Sequence, residues 1–281
     1  MWTARHLFVA AVVAVGLLAP YRPAKAQDVR QSLSASSMIE EVKHQGVLKV
    51  GLSTFVPWAM PSKSGPMIGF EVDVAQKLAD DMKVKLQFVP TTWDGIIPAL
   101  IAKKFDIIIG GMTITPERNL TINFTAPYEH AESYVLVGKK YADKFKSLDD
   151  FNNPDVTIAN VRGATTAIFA KQAFPKAQHL LFDGENQGLQ EVLNGKAQAV
   201  MASTPTPAIW MAKYPDALVM PFDKPLYQDS EGMGIRKGDP DALNFLDNWI
   251  IVHTDDGWLQ ERFNYWFKTR EWENQVAGSV E

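Results

Sequence analysis

The sequence predicts an α/β protein of two similar lobes, each built on a parallel-type sheet flanked by helices. Short apolar runs typical of buried strands alternate with segments whose apolar residues repeat at helical spacing, which is the pattern of βαβ units. The order of a lysine-ended helix, a buried strand and a bend rich in Gly, Ser and Thr also occurs twice. A chain of 281 residues is long enough to fold as two such lobes.

The first 26 residues carry the pattern of a cleaved secretory signal. Arg5 and His6 precede an apolar run over residues 7–19, which is too short to span a bilayer comfortably. An Ala-Lys-Ala cleavage pattern follows at residues 24–26. A retained membrane anchor is the alternative. We expect the mature chain to begin at Gln27 and to be exported.

The composition excludes several kinds of chemistry. The chain contains no cysteine, which excludes disulfides, thiolate metal sites, cysteine nucleophiles and the lipid attachment of exported bacterial proteins. No basic tract offers a footprint for nucleic acid. The histidines are scattered, with no pair at metal-ligand spacing. We therefore expect no metal, no cofactor and no nucleic-acid partner.

The first lobe is predicted from alternating strands and helices. Strand predictions rest on apolar runs, and helix predictions on residues such as Val74, Leu78 and Met82 that share one helical face. The predicted elements are a helix at 38–44, a strand at 47–52, a helix at 71–82, a strand at 84–89 and a helix at 95–104. Phe55 and Trp58 follow the first strand at its carboxyl end, where open α/β sheets bind ligands. We expect Phe55 to face the ligand and Trp58 to pack in the core.

Residues 105–118 predict a buried strand, a bend and a new helix. The strand is apolar without interruption, as in parallel sheets covered on both faces. Gly110 and Gly111 then allow another backbone or a ligand to approach closely, because glycine has no Cβ. Thr115 and Pro116 are predicted to be the N-cap and the first residue of the helix.

The same stretch predicts an anion site. The free amides at the helix start, the hydroxyl of Thr113 and the guanidinium of Arg118 are suited to converge on one carboxylate. An ordinary surface ion pair between Arg118 and Glu117 is the alternative, and such a pair contributes little stability.

The pattern starts again in the second half. The predicted elements are strands at 134–139, 156–160, 180–182 and 197–202, with helices at 167–174 and 186–194. Residues 231–238 resemble a second crossing strand, and residues 239–281 are predicted to be helical. The aromatic residues of this last segment are expected to pack on the first lobe: Trp249, Trp258, Phe263, Trp266 and Phe267.

Several motifs in a fixed order make the chain resemble a known family. They are Gly-Val-Leu-Lys-Val-Gly at 46–51, Ile-Gly-Phe-Glu-Val-Asp-Val-Ala at 68–75, the block at 105–118, Asn-Phe-Thr-Ala-Pro-Tyr at 123–128 and the segment at 232–239. Over about residues 40–270 the chain is similar to the family 3 periplasmic solute-binding proteins, the receptors of polar amino acid ABC importers.

The resemblance implies how the molecule is organised. It implies a monomeric periplasmic receptor whose two lobes are joined by two crossing strands that act as a hinge. The lobes are expected to close around a polar amino acid or a related small carboxylate, and the closed form to dock on an inner-membrane permease. The first lobe would comprise residues 27–137 and 232–281, and the second lobe residues 138–231.

The resemblance also implies the first-lobe contacts of the ligand. Phe55 and Trp93 are similar to the aromatic walls that hold the ligand's side chain. Gly111 and Thr113 are similar to the residues that bind the ligand's ammonium and carboxylate groups. Arg118 resembles the arginine that clamps the α-carboxylate with two hydrogen bonds.

On the second lobe, the chain matches the family's pattern of ligand contacts at one position and departs from it at another. Thr165 and Thr166 fall where backbone and hydroxyl contacts complete the carboxylate site. Ser203 occupies the position of an aspartate that usually pairs with the ligand's ammonium group. A buried ammonium without a carboxylate is costly. Either Asp229, Glu231 or another acid replaces that aspartate, or the ligand is not an ordinary α-amino acid.

Two further positions bear on function. Leu52 lies where binders of basic amino acids tend to carry an acid, which disfavours a lysine-like or arginine-like ligand. The segments 89–94 and 249–266 resemble the periplasmic cyclohexadienyl dehydratases, an enzyme class on the same fold. Such an enzyme needs a general acid, and Ala167 stands where those enzymes carry a glutamate. We therefore expect a binding protein, with the dehydratase as the alternative.

Overall fold

The structure, a computed structural model, describes residues 37–277 as two α/β lobes. The predicted signal at residues 1–26 lies outside the described residues. The strands are β1 (Val47–Leu52), β2 (Met60–Pro61), β3 (Met67–Ile68), β4 (Lys85–Pro90), β5 (Ile107–Ile108), β6 (Asn123–Phe124), β7 (Glu129–Gly138), β8 (Thr157–Val161), β9 (Gln178–Phe182), β10 (Ala199–Ser203), β11 (Leu218–Val219), β12 (Tyr227–Glu231) and β13 (Gly234–Ile235). The α-helices are α1 (Met38–Gln45), α2 (Phe70–Asp81), α3 (Ile96–Ile101), α4 (Pro116–Asn119), α5 (Thr165–Ala173), α6 (Glu185–Leu193), α7 (Thr206–Lys213), α8 (Pro240–Asp255) and α9 (Trp258–Phe263).

The first lobe contains a five-stranded sheet in the order β4-β1-β5-β13-β6. β1 runs parallel to β4 and β5, whereas β13 is antiparallel to β5 and β6. Leu48, Val50 and Ile107 of this sheet are fully buried beside Leu78 of α2. The apolar runs therefore predicted the parallel part of the sheet correctly, because these strands are covered on both faces.

The second lobe contains a sheet in the order β11-β7-β10-β8-β9, with β12 also paired to β7. β8, β9 and β10 are parallel, and β7 is antiparallel to its three neighbours. The predicted two-lobed α/β architecture is confirmed, with an antiparallel component added to each sheet.

The first crossing between the lobes lies earlier than expected. All of β7 pairs in the second sheet, so the chain leaves the first lobe at residues 125–128 and not after residue 137. The start of β7 carries Glu129, His130 and Glu132, which interrupt the apolar pattern of a strand. The return crossing lies between β12 and β13, where the predicted division after residue 231 also falls.

The carboxyl-terminal segment packs on the first lobe, as predicted. Trp249, Trp266 and Trp272 are buried in the same core as α2 and β1. The segment is not one continuous helix, because Gly257 adopts a left-handed conformation with φ of 80° between α8 and α9. Among the described helices, none is long and apolar enough to cross a membrane.

Candidate functional site

A cavity lies between the two lobes at the carboxyl ends of the central strands. All the predicted ligand contacts except Arg118 line it: Phe55, Trp93, Gly111, Thr113, Thr165, Thr166 and Ser203. Trp58 is buried, as the sequence predicted, and also lines the cavity. Glu185 and Glu231 are the carboxylate residues on its wall. The structure therefore brings together residues from both lobes and from the crossing strand β12.

Two aromatic rings form one wall of the cavity. Phe55 and Trp93 contact each other edge to face, with ring centroids 5.2 Å apart and an interplanar angle of 86°. Phe55 lies in the loop after β1, and Trp93 begins a 3-10 turn after β4. The indole nitrogen of Trp93 is buried without a hydrogen-bond partner. This wall offers apolar contact and one free donor to a ligand.

The bend after β5 has the predicted geometry. Gly111 has φ of 68°, and a Cβ there would lie 2.6 Å from the Trp58 indole. Only glycine fits this close approach. Thr115 caps α4, since its hydroxyl accepts a hydrogen bond from the backbone N–H of Arg118 at 3.1 Å, and Pro116 is the first helical residue.

Arg118 lies beside the cavity and connects the lobes. Its guanidinium donates to the carbonyl oxygen of Thr113 at 2.8 Å and to that of Gly163, in the second lobe, at 2.9 Å. Burial lowers the pKa of Arg118, and the nearby carboxylates of Asp229 and Glu231 oppose that shift. The alternative surface pair with Glu117 is absent among the ion pairs of the described residues.

The second-lobe threonines lie at the start of α5. The hydroxyl oxygens of Thr165 and Thr113 are 3.3 Å apart across the cleft, and Thr165 donates to Asp229 at 3.2 Å. Burial raises the pKa of Asp229 to about 6. Ser203 ends β10 and contacts the hydroxyl of Ser133 at 2.9 Å. The position that lacks the expected aspartate is therefore occupied by two neutral hydroxyl groups.

Comparison with known proteins identifies the family. A model described as bacterial extracellular solute-binding proteins, family 3, matches residues 48–269. The chain belongs to this family. The resemblance of the sequence motifs is thereby confirmed, and the two-lobed architecture with a cavity between the lobes is that of a family 3 solute-binding protein.

Individual relatives include both receptors and an enzyme. The L-cystine-binding protein TcyJ of Escherichia coli K12 is 28% identical over 84% of this chain and 88% of that protein. The cyclohexadienyl dehydratase of Pseudomonas aeruginosa is 26% identical over 83% of this chain and 87% of that enzyme. The crystal structure of an ABC transporter binding component from Wolinella succinogenes, complexed with lysine, is 41% identical with a TM-score of 0.76, covering 81% of this chain and 98% of that chain.

Leu52 is a core residue of this solute-binding protein. Its side chain is fully buried with Ala59 and Val72 inside the first lobe. Leu52 does not line the cavity, and the expectation that an apolar residue at this position disfavours a basic ligand stays a prediction.

Four acidic residues lie at or near the cavity that the sequence either did not predict there or named without placing them. Glu185 begins α6 on the cavity wall, and burial raises its pKa to about 8. Glu71, Glu129 and Glu231 are buried together, with one carboxylate oxygen from each within 4.8 Å of the others. Glu231 was named as a replacement acid, but the sequence gave no reason to place Glu71 and Glu129 beside it, since glutamate is usually exposed.

The buried glutamates predict that stability falls as pH rises. Burial raises the pKa of Glu71 from 4.5 to about 8. Between these values the folded protein keeps a proton that the unfolded chain has released, so the free energy of unfolding decreases with pH. Glu71→Gln should reduce the loss between about pH 5 and pH 8 by on the order of 3 kcal/mol.

Urea unfolding at several pH values tests this prediction. Glu129 and Glu185 have pKa values raised by burial in the same direction, so a residual slope is expected in the variant. Identical pH profiles of the variant and the unmodified protein would show that Glu71 is ionised in the fold.

Proposed function

We propose that the mature protein is a periplasmic substrate-binding receptor of an ABC importer for a polar amino acid or a related small carboxylate. The observation that carries this proposal is one cavity shared by both lobes, lined by hydroxyl groups, the start of α5 and two aromatic rings, with the guanidinium of Arg118 beside it. The family and its amino-acid-binding relatives support it. The protein acts as a monomer without nucleic acid, and its partner is an inner-membrane permease.

The carboxylate of the ligand binds the guanidinium of Arg118. Arg118 now donates to two backbone carbonyls, one from each lobe. A carboxylate is a stronger acceptor for this planar fork, because both hydrogen bonds then join opposite charges. Thr113 and Thr165 offer hydroxyl groups from opposite sides.

Closure follows from contact with both lobes. Phe55, Trp93 and Thr113 belong to the first lobe, while Thr165 and Thr166 belong to the second. A ligand shifts an equilibrium between open and closed forms only by its difference in affinity for them. A solute that contacts both walls has that difference, and the closed form is the one presented to the permease.

A thermal-shift screen of residues 27–281 tests the proposal. The ligands are the common amino acids, their deaminated and decarboxylated analogues, and prephenate. A solute at 100 times its Kd stabilises the native state by about 2.7 kcal/mol, which raises Tm by roughly 5–10 °C for a chain of this size. A screen in which no carboxylate of this set raises Tm would overturn the proposal.

A cyclohexadienyl dehydratase is the second candidate function. Ala167 cannot act as a general acid, but Glu185 lies on the cavity wall and burial raises its pKa to about 8. A protonated carboxyl at neutral pH is suited to protonate a leaving hydroxyl. A second cavity of ≈ 450 Å³ adjoins the first and shares Phe55 and Glu185 with it, which leaves room for a larger solute.

Incubation with prephenate separates the two functions. A receptor either binds prephenate or does not bind it, and in both cases the total amount of prephenate stays unchanged. Conversion to phenylpyruvate, carbon dioxide and water that Glu185→Gln abolishes would establish the enzyme.

A further inference from the structure

Three glutamates meet where the two lobes join. Glu71 lies at the start of α2, Glu129 at the start of β7 and Glu231 at the end of β12. Glu129 and Glu231 are direct partners across the antiparallel pair of crossing strands. The three residues are 0%, 4% and 4% exposed, and a carboxylate oxygen from each lies within 4.8 Å of the other two. We call these residues the hinge glutamates.

Arg118 interacts electrostatically with Glu231 but forms no direct ion pair with the hinge glutamates. None of them takes part in an ion pair among residues 37–277. Tyr128 donates to Glu71 at 2.7 Å and the indole of Trp58 donates to Glu231 at 3.2 Å. Oε1 of Glu71 and Oε2 of Glu129 are buried without any hydrogen-bond partner. Buried carboxylates are strongly destabilised unless a cation or donors satisfy them.

One of the three reaches the ligand cavity. Glu231 is part of the cavity wall beside Gly111. A Cβ on Gly111 would lie 3.1 Å from Oε2 of Glu231, so the missing side chain leaves a path between this carboxylate and the cavity. A cation in the cavity is therefore able to contact Glu231 directly and to be attracted electrostatically by Glu71 and Glu129 behind it.

The second lobe offers no acid at the usual place. Within residues 37–277, the side-chain hydrogen bond of Ser203 is to the neutral hydroxyl of Ser133. Asp229 accepts from Thr165 and does not line the cavity. Glu185 does line the cavity, but on the side shared with the larger adjoining cavity. The site that would receive an amine next to Gly111 is thus bounded by Glu231.

We propose that Glu231, with Glu71 and Glu129 behind it, binds a protonated amine of the ligand. Glu231 would then take the role of the aspartate that is usual at the position of Ser203. This inference rests on the proposed receptor function. It defines the ligand as a zwitterion or a cation, with its carboxylate at Arg118 and its ammonium group at the hinge. A positive charge in direct contact with Glu231 is then supplied by the ligand.

The arrangement makes amine binding depend on pH. Burial raises the pKa of Glu71 and of Glu129, which favours the protonated form of both carboxyl groups in the ligand-free protein. The other titratable groups that face the hinge glutamates are Tyr128, Asp229 and Arg118. An ammonium group favours the ionised carboxylates, so binding releases protons and the affinity rises between about pH 5 and pH 8.

Matched pairs of probes test the inference by isothermal titration calorimetry. The pairs are L-glutamine with 4-carbamoylbutanoate, L-phenylalanine with 3-phenylpropanoate, and L-lysine with 6-aminohexanoate, each differing by the α-amino group. For the pair that binds, we expect the amino acid to bind at least about 30-fold more tightly than its deaminated partner. Glu231→Gln should bring the two within about threefold, whereas Glu117→Gln, an exposed acid beside Arg118, should keep the difference.

The outcomes separate failure of this inference from failure of the receptor function. Equal binding of both members to the unmodified protein overturns the amine site and leaves a carboxylate receptor. Selectivity that survives Glu231→Gln but is lost in Glu185→Gln moves the amine site to Glu185 and overturns it as well. If none of these probes binds, the pair is taken from the solute with the largest thermal shift, and a screen in which no carboxylate raises Tm overturns both proposals. If Glu231→Gln does not fold, Glu129→Gln serves in its place, with a loss of selectivity again expected.

A metal ion is the competing occupant of the hinge glutamates. Ca²⁺, Mn²⁺ and Zn²⁺ are added separately, without amino acid, in a thermal-shift measurement. An increase in Tm that Glu231→Gln abolishes would show a metal site and overturn the inference. No increase with any of these ions, together with amine selectivity, supports it.

Discussion

Arg118→Ala should weaken binding of the amino acid that gives the largest thermal shift by about 2–5 kcal/mol, which is the range for a desolvated charge pair that loses one partner. The guanidinium is held by the Thr113 and Gly163 carbonyls at 2.8 and 2.9 Å, close to the hydroxyl groups of the cavity. In the absence of Arg118 the carboxylate keeps only neutral hydroxyl groups and the start of α5, which has no side-chain cap. Isothermal titration calorimetry measures the difference directly.

Two further variants show whether the loss of affinity is due to the planar guanidinium group or to the loss of a positive charge. Arg118→Lys keeps the charge but donates without the planar fork, so we expect an intermediate loss. Arg270→Ala removes an exposed arginine that pairs with Glu273 near the carboxyl end, and its affinity should be unchanged. Unchanged affinity in Arg118→Ala would contradict the carboxylate clamp. A loss in both alanine variants would indicate a general effect of net charge.

The same substitution tests how the lobes are held in the absence of ligand. The bond from Arg118 to Gly163 joins the lobes directly, as does the contact between Thr113 and Thr165. Without the guanidinium, we expect the ligand-free protein to populate more open forms. Small-angle scattering should then give a larger radius of gyration for the ligand-free variant than for the ligand-free unmodified protein.

Local chemistry explains what the sequence could predict. The cap at Thr115 and the glycine bend follow from short-range rules, since a hydroxyl before Pro and two adjacent glycines have few alternative uses. The paired aromatic wall of Phe55 and Trp93 was reached through the family resemblance. The start of β7 was missed because its partner β12 lies about a hundred residues away, and polar residues there satisfy their backbone through that pairing.

Long-range charge clustering explains what the sequence could not predict. Glu71, Glu129 and Glu231 come together only because α2 begins against the loop of Trp58 while two crossing strands pair beside it. No spacing rule connects three acids that are so far apart in the chain. Hydrophobicity also predicts exposure for each of them, whereas the structure buries all three.

Gly69→Ala should reduce the free energy of unfolding by more than about 3 kcal/mol, because both the backbone conformation and the available space exclude a side chain. Gly69 has φ of 141°, and an added Cβ would lie 2.2 Å from the carbonyl oxygen of Trp58 and 2.8 Å from that of Pro57. These atoms are backbone, so they cannot turn aside as a flexible side chain would. They also accept the hydrogen bonds from Phe70 and Glu71 that start α2, at 3.1 and 2.9 Å.

Gly65→Ala is the matched control, because it separates conformational strain from steric contact. Gly65 also has positive φ, 103°, but no atom lies within 4 Å of the position of its Cβ. We expect it to lose only about 1–2 kcal/mol in the same urea titration, the cost of the unfavourable backbone conformation. Equal losses in the two variants would mean that strain alone sets the cost. A larger loss at Gly69 means that the close backbone contact between the loop of Trp58 and the start of α2 adds its own cost to the strain.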